Sequence, residues 1–186
     1  MAKVHANSID IEYDDLGAAC APVVLLISGL GGQMIRWTRP FCESLAMRGF
    51  RVVRFDNRDA GLSTHFSDFP LPEMGAQFAA LARGERPDIA YTLNDMASDA
   101  VGLLDALGIA KAHIVGRSMG GMIGQLIAAE HPERVVSLTS IMSTSGNPAD
   151  IGHSRRRRPL AALGGRRRYG AEHLRRSVHE NPRHGA

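Results

Sequence analysis

Cysteine is scarce in this chain of 186 residues: Cys20 and Cys42 are the only two. Two cysteines cannot build a disulfide framework, and no neighbouring His or Cys gives either one the spacing of a zinc ligand. A reducing, cytoplasmic setting is the expectation, with neither a metal nor a cofactor implied. Long apolar runs are also missing. The longest, Val23-Val24-Leu25-Leu26-Ile27, falls far short of the roughly 20 residues that span a bilayer. The first 13 residues alternate polar with apolar and show no leader-like apolar core, so no membrane partner is expected. With 20 Gly and 9 Pro against 44% hydrophobic residues, collagen-like and low-complexity classes are excluded. Charge of one sign is lacking overall, at a net +3, but not locally. Residues 1–150 carry 12 Lys and Arg against 17 Asp and Glu, a net of −5, while residues 151–186 carry 10 against 2, a net of +8. The basicity belongs to one end and does not describe a uniformly basic nucleic-acid binder.

What is present is a βα alternation. Ile9, Ile11 and Tyr13 have the period of a half-buried strand near a sheet edge. The run at Val23 is short, β-branched and bounded by Pro22 and Ser28-Gly29, as in a strand covered on both faces. A helix follows over 38–47, with Phe41 and Leu45 on its apolar face and Gly49 to end it. Arg51-Val52-Val53-Arg54-Phe55 reads as a strand, 56–70 as a loop and 71–83 as a helix. Thr92-Leu93-Asn94-Asp95 has the spacing of a capped helix start, continued at helical period by Met96, Ala100, Leu103, Leu104 and Leu107. His113-Ile114-Val115 is a strand, 119–130 a helix, and 135–142 an apolar strand. Connections too long for hairpins predict an α/β protein with a doubly wound, mostly parallel sheet. Residues 1–150 form the expected domain, and 151–186 an Arg-rich irregular tail.

Two loops could carry chemistry. Gly116-Arg117-Ser118-Met119-Gly120 sits between a strand and a helix, the context in which G-x-S-x-G presents a nucleophile. Ser118 would stand on a strained turn, Gly116 and Gly120 would keep that turn free of clashes, and the Met119 N–H at the helix start would face a developing oxyanion. The competing reading makes Ser118 only a helix cap. Ser28-Gly29-Leu30-Gly31-Gly32 follows the buried strand, and the Leu30 N–H could supply the second oxyanion donor. The same loop, with Asp56 after the next strand, also offers a Rossmann-type nucleotide-binding oxidoreductase as a remote alternative, weakened because Met34 takes the place of the third glycine.

Together with Arg54-Phe55-Asp56-Asn57-Arg58-Asp59-Ala60-Gly61-Leu62-Ser63, these motifs resemble the α/β-hydrolases, and within them the small-ester hydrolases similar to aclacinomycin methylesterases. The resemblance covers residues 1 to about 150. It implies a serine hydrolase acting on a small-molecule ester through an acyl-enzyme on Ser118, with Leu30 and Met119 as the oxyanion hole. It also implies a bracing role for the 56–63 loop, with Asp56 and Arg58 as a buried ion pair. Ser28 stands where many relatives have His. A cofactor-free haloperoxidase would share the same machinery.

The family order places an acid and then a His after the nucleophile, on loops behind later strands. Here only Asp150, Glu172 and Glu180, with His153, His173, His179 and His184, follow the strand at 135. None follows a strand that would aim it at Ser118, and of the earlier histidines only His65, in a loop, is kept as a remote base. The expectation is therefore a C-terminally truncated hydrolase fold with impaired catalysis, or a non-catalytic fragment of it. A frameshift near 147–152 would explain the Arg-rich tail, in preference to a basic arm for nucleic acid.

Overall fold

The computed structural model describes residues 1–68, 74–85 and 88–146, and the tail and its histidines lie outside them. Strand β1 (Ala2–Ala6) turns directly into β2 (Ile9–Leu16). The turn residues Asn7 and Ser8 have φ of 46° and 64°, the paired left-handed geometry whose twist suits a two-residue hairpin. β3 (Val23–Ile27) leads through a 3-10 turn at Met34–Arg36 to α1 (Arg39–Ala46) and β4 (Arg51–Phe55). Then come α2 (Met74–Ala82), α3 (Leu93–Ala106), β5 (Ala112–Arg117), α4 (Met119–Glu130) and β6 (Val135–Ile141).

The six strands form one sheet in the order β1-β2-β4-β3-β5-β6. β4, β3, β5 and β6 run parallel, and the β1–β2 hairpin is added antiparallel to the β4 edge. All five residues of β3 are buried because helices cover both faces. Val23, Leu25 and Ile27 pack with Met96, Ala100, Leu103 and Leu104 of α3 and with Ile123 and Ile127 of α4. Val24 and Leu26 pack with Cys42 of α1 and with Val52. Each chain reversal between parallel strands thus supplies a helix for one face.

Three expectations need adjustment. β1 is an extra strand outside β2, which lies second from the sheet edge. On α1 it is Cys42 and Leu45 that face the sheet, whereas Phe41 is 41% exposed and stacks on Trp37. The strand read at 113–115 extends to Arg117, which delivers the chain directly to Ser118. Among the described residues β6 is the last strand, and Val136, Ile141 and the following Met142 are 47%, 36% and 77% exposed. No helix among those residues is long and apolar enough to cross a membrane.

Candidate active site

β5 ends and α4 begins with one residue between them, Ser118, at φ 55° and ψ −122°. A non-glycine residue in the left-handed half of the map costs about 1–3 kcal/mol and persists only where its surroundings enforce it. Here the enforcement is visible. The Ser118 N–H donates to the Ile141 carbonyl at 2.8 Å, and its own carbonyl accepts from Gly121 N at 2.8 Å. A Cβ at Gly116 would lie 2.0 Å from the Gly120 carbonyl oxygen, and one at Gly120 would lie 2.2 Å from the Ile27 carbonyl oxygen. Both collisions are with backbone and cannot be relieved by turning a side chain. The tight turn therefore depends on the two glycines flagged by the sequence.

Ser118 is solvent-exposed, and its side chain makes no capping bond to the helix it precedes. That removes the reading of Ser118 as a helix cap. Gly29 is its neighbour across the sheet end: a Cβ there would be 3.1 Å from Ser118 Cβ and 3.6 Å from Ser118 Oγ. Gly29 and Ser118, 89 positions apart in sequence, bring the two glycine motifs together at one point. Met119 opens α4, so its N–H has no intrahelical acceptor, and among the described residues no loop or cap hydrogen bond uses the Leu30 or Met119 N–H. The Leu30 side chain is 85% exposed. The N-terminus of α4 lies directly beside Ser118.

The 56–63 loop braces this arrangement, with one correction to the expected pairing. Asp56 and Arg58 are both buried but do not pair with each other. Asp56 accepts backbone N–H groups instead, from Met34 at 2.6 Å and from Leu62 at 3.0 Å. Gly61 makes room for it, since a Cβ at that residue would lie 1.9 Å from Asp56 Oδ2. Arg58 reaches Asp99 of α3, with both fork bonds at 2.7 Å and side chains only 6% and 3% exposed. Phe66 and Tyr91 lie 5.3 and 5.0 Å from the guanidinium carbon. Burial opposes the Arg58 charge, but the Asp99 hydrogen bonds and charge outweigh it, so its pKa is raised. Burial first, then a hydrogen bond to Asp59, pushes the Tyr91 phenol up to about 12. Asp99 was not singled out in the sequence, although a carboxylate on the inward row of an otherwise apolar helix face was the available signal.

The described histidines do not complete a charge relay. His65 is held by its own loop, with Nε2 3.1 Å from the Gly61 carbonyl and Nδ1 4.0 Å from Asp59 Oδ1. His113 bonds Ser137 Oγ at 2.8 Å and lies five positions before Ser118, roughly 15 Å away at strand rise. His5 and His131 pair with Asp10 and Glu133 on the surface. The later acids and histidines, from Asp150 onwards, lie outside the described residues.

Comparison with known proteins gives the arrangement its class. The family model described as alpha/beta hydrolase fold matches residues 22–177, and the chain belongs to that family. It is 34% identical over 139 residues to the rhodomycin D methylesterase DauP of Streptomyces sp. strain C5, covering 75% of this chain and 41% of the relative. It is 39% identical over 144 residues to a putative carbamate hydrolase RutD of Caulobacter vibrioides, covering 76% and 45%. The chain thus matches less than half the length of these curated relatives. Among solved structures it is similar to an enol-lactonase from Burkholderia xenovorans LB400, with a TM-score of 0.58 at 29% identity over 74% of this chain and 45% of that one. A carboxylesterase structure from Nitrososphaera gargenis aligns with a TM-score of 0.61 at 27% identity over 77% and 46%. The family assignment displaces the nucleotide-binding alternative. The glycine loop also leads into a 3-10 turn, with α1 delayed to Arg39, whereas a dinucleotide site needs a helix opening at the loop itself.

Proposed function

We propose that this chain carries the nucleophile half of a serine ester hydrolase, with Ser118 attacking the carbonyl carbon of a small-molecule carboxylic ester. The observation that carries the reading is the uncapped Ser118 hydroxyl on a left-handed turn beside Gly29. Attack moves the hydroxyl proton to solvent water, since no described side chain is placed to take it, and the carbonyl electron pair to oxygen. The Leu30 and Met119 N–H groups would receive that oxyanion. Collapse expels the alkoxide, which takes a proton, and leaves an acyl-enzyme that water cleaves to acid and free serine. Relatives named as a methylesterase and a carbamate hydrolase agree with acyl transfer to water; an ester is the substrate proposed here, with no cofactor, metal, membrane or nucleic acid required.

The described residues hold no base for Ser118. Among the described residues no histidine hydrogen-bonds Ser118, and with those groups alone the hydroxyl would stay protonated and turnover would be slow. An oxyanion hole and binding alone leave roughly 10³–10⁴ over water. The same lack of a base favours a second reading, a hydrolase fold without turnover. Reaction with p-nitrophenyl acetate separates the two. The proposal expects a small release of p-nitrophenol that Ser118→Ala abolishes, and equal release from both proteins would favour the second reading.

A further inference from the structure

The loop carrying the Leu30 N–H hangs from two consecutive residues at the end of β4. Asp56 holds its far end through the Met34 N–H at 2.6 Å. Asn57 holds its near end, donating from Nδ2 to the Ser28 carbonyl at 3.0 Å. Between these clamps the loop closes on itself through Gly32 N–H to the Gly29 carbonyl at 3.0 Å. Because a peptide unit is planar, fixing the Ser28 carbonyl fixes the whole Ser28–Gly29 peptide. Only the two dihedrals of Gly29 then separate the Asn57 clamp from the Leu30 amide.

The same carbonyl is in contact with the other half of the site. A Cβ at Gly120 would lie 2.7 Å from the Ser28 oxygen, and one at Gly29 would lie 3.1 Å from Ser118 Cβ. A tilt of the Ser28–Gly29 peptide would therefore move the Leu30 donor and crowd the serine together. Asn57 is 3% exposed, and its Oδ1 is buried without a partner. An orphaned buried carbonyl is costly, and an apolar side chain of similar size would avoid it. The amide is at odds with stability alone, and what it supplies is the bond to Ser28.

We propose that Asn57 is a positioning residue for the oxyanion hole, aiming the Leu30 N–H by locking the Ser28–Gly29 peptide. The proposal rests on the ester-hydrolase reading of Ser118. Its test compares the wild-type chain with Asn57→Ala and Asn57→Asp, using the labelling rate of Ser118 by a fluorophosphonate and amide exchange at Gly32 and in β3. In Asn57→Ala, labelling slows about 10-fold, a fraction of the loss from deleting an oxyanion donor outright, and Gly32 exchange speeds up while β3 protection holds. Asn57→Asp adds a pH signature that a purely structural role would not produce. Burial raises the pKa of the new carboxyl, so at pH 5 its neutral form donates to Ser28 and labelling stays near wild type. At pH 8 the carboxylate cannot donate, and the ratio to wild type falls about 10-fold.

Labelling of Asn57→Ala within twofold of wild type, or an Asn57→Asp ratio independent of pH, overturns the proposal while leaving the nucleophile reading intact. A wild-type chain that takes no label overturns both. If Asn57→Ala loses β3 protection, the Asn57→Asp ratio read on the folded chain decides alone.

Discussion

Replacing Gly120 by Ala sets two effects of opposite sign against each other. In a helix interior such a change gains about 1 kcal/mol of helix propensity, an upper bound for Gly120 in the first turn of α4. At this position, however, the new methyl would sit 2.2 Å from the Ile27 carbonyl oxygen and 2.7 Å from the Ser28 oxygen. β3 is the buried centre of the sheet and has no room to retreat, so the first turn of α4 must back away by about 1 Å. Overpacking of this kind costs about 1–3 kcal/mol, which cancels or exceeds the propensity gain. The effect on the site is larger, because a displacement near 1 Å at the nucleophile costs about 100-fold in rate. Gly75→Ala is the control: it lies in α2, is exposed, and a Cβ there would meet nothing within 4 Å, so it should stabilise by about 0.5–1 kcal/mol. Urea unfolding and fluorophosphonate labelling are measured on both variants. Gly120→Ala as stable as Gly75→Ala, and labelled at the wild-type rate, would refute the close-packed elbow.

Other perturbations test the scaffold. Asp99→Ala strands the Arg58 charge beneath Phe66 and Tyr91, and loss of one partner of a buried pair should cost about 3–5 kcal/mol in chemical denaturation. Burial raises the Asp14 pKa, but the hydrogen bond and charge of Arg54 outweigh this and leave it lowered. A depressed folded pKa gives stability that is present above the unfolded carboxylate value and lost as pH falls through the folded one. Acid titration of Asp14→Asn should therefore show a shallower loss of stability below pH about 4 than wild type. The Tyr91 phenol, pushed up to about 12, gives the reverse window, with stability lost as pH rises from about 10 towards that value. Tyr91→Phe should flatten that alkaline loss. The exposed apolar side chains at β6 make a sticky edge. Val136→Lys should shift size-exclusion profiles towards monomer, and an unchanged aggregate fraction would show that another surface is responsible.

Local signals in the sequence were strong where one short stretch decides its own structure. The α4 limits follow from the helical run bounded by Ser118 and His131-Pro132, and α3 from Thr92 and Asp95, which form the reciprocal cap. Buried β3 follows from an apolar run too short for a helix. Signals failed where the partner is distant. β1 has a single large apolar residue, Val4, and is held by pairing with β2 through Asn7-Ser8, a turn weaker in sequence than Asn-Gly. Arg58 sits near Asp56 in sequence, yet it pairs with Asp99, 41 residues away, a choice that only the docking of α3 makes. Cys42 faces the sheet beside Leu45, while Phe41 stacks on Trp37. At the site, the glycines declared their role through spacing alone. Asn57 did not, because its function lies in a single bond to a backbone carbonyl 29 residues earlier.

The most direct test of the central claim is intact mass and peptide mapping after exposure to a fluorophosphonate. The account predicts one phosphonyl adduct per chain, located on the peptide containing Ser118 and absent from Ser118→Ala. No adduct, or an adduct that survives in Ser118→Ala on another residue, would contradict it.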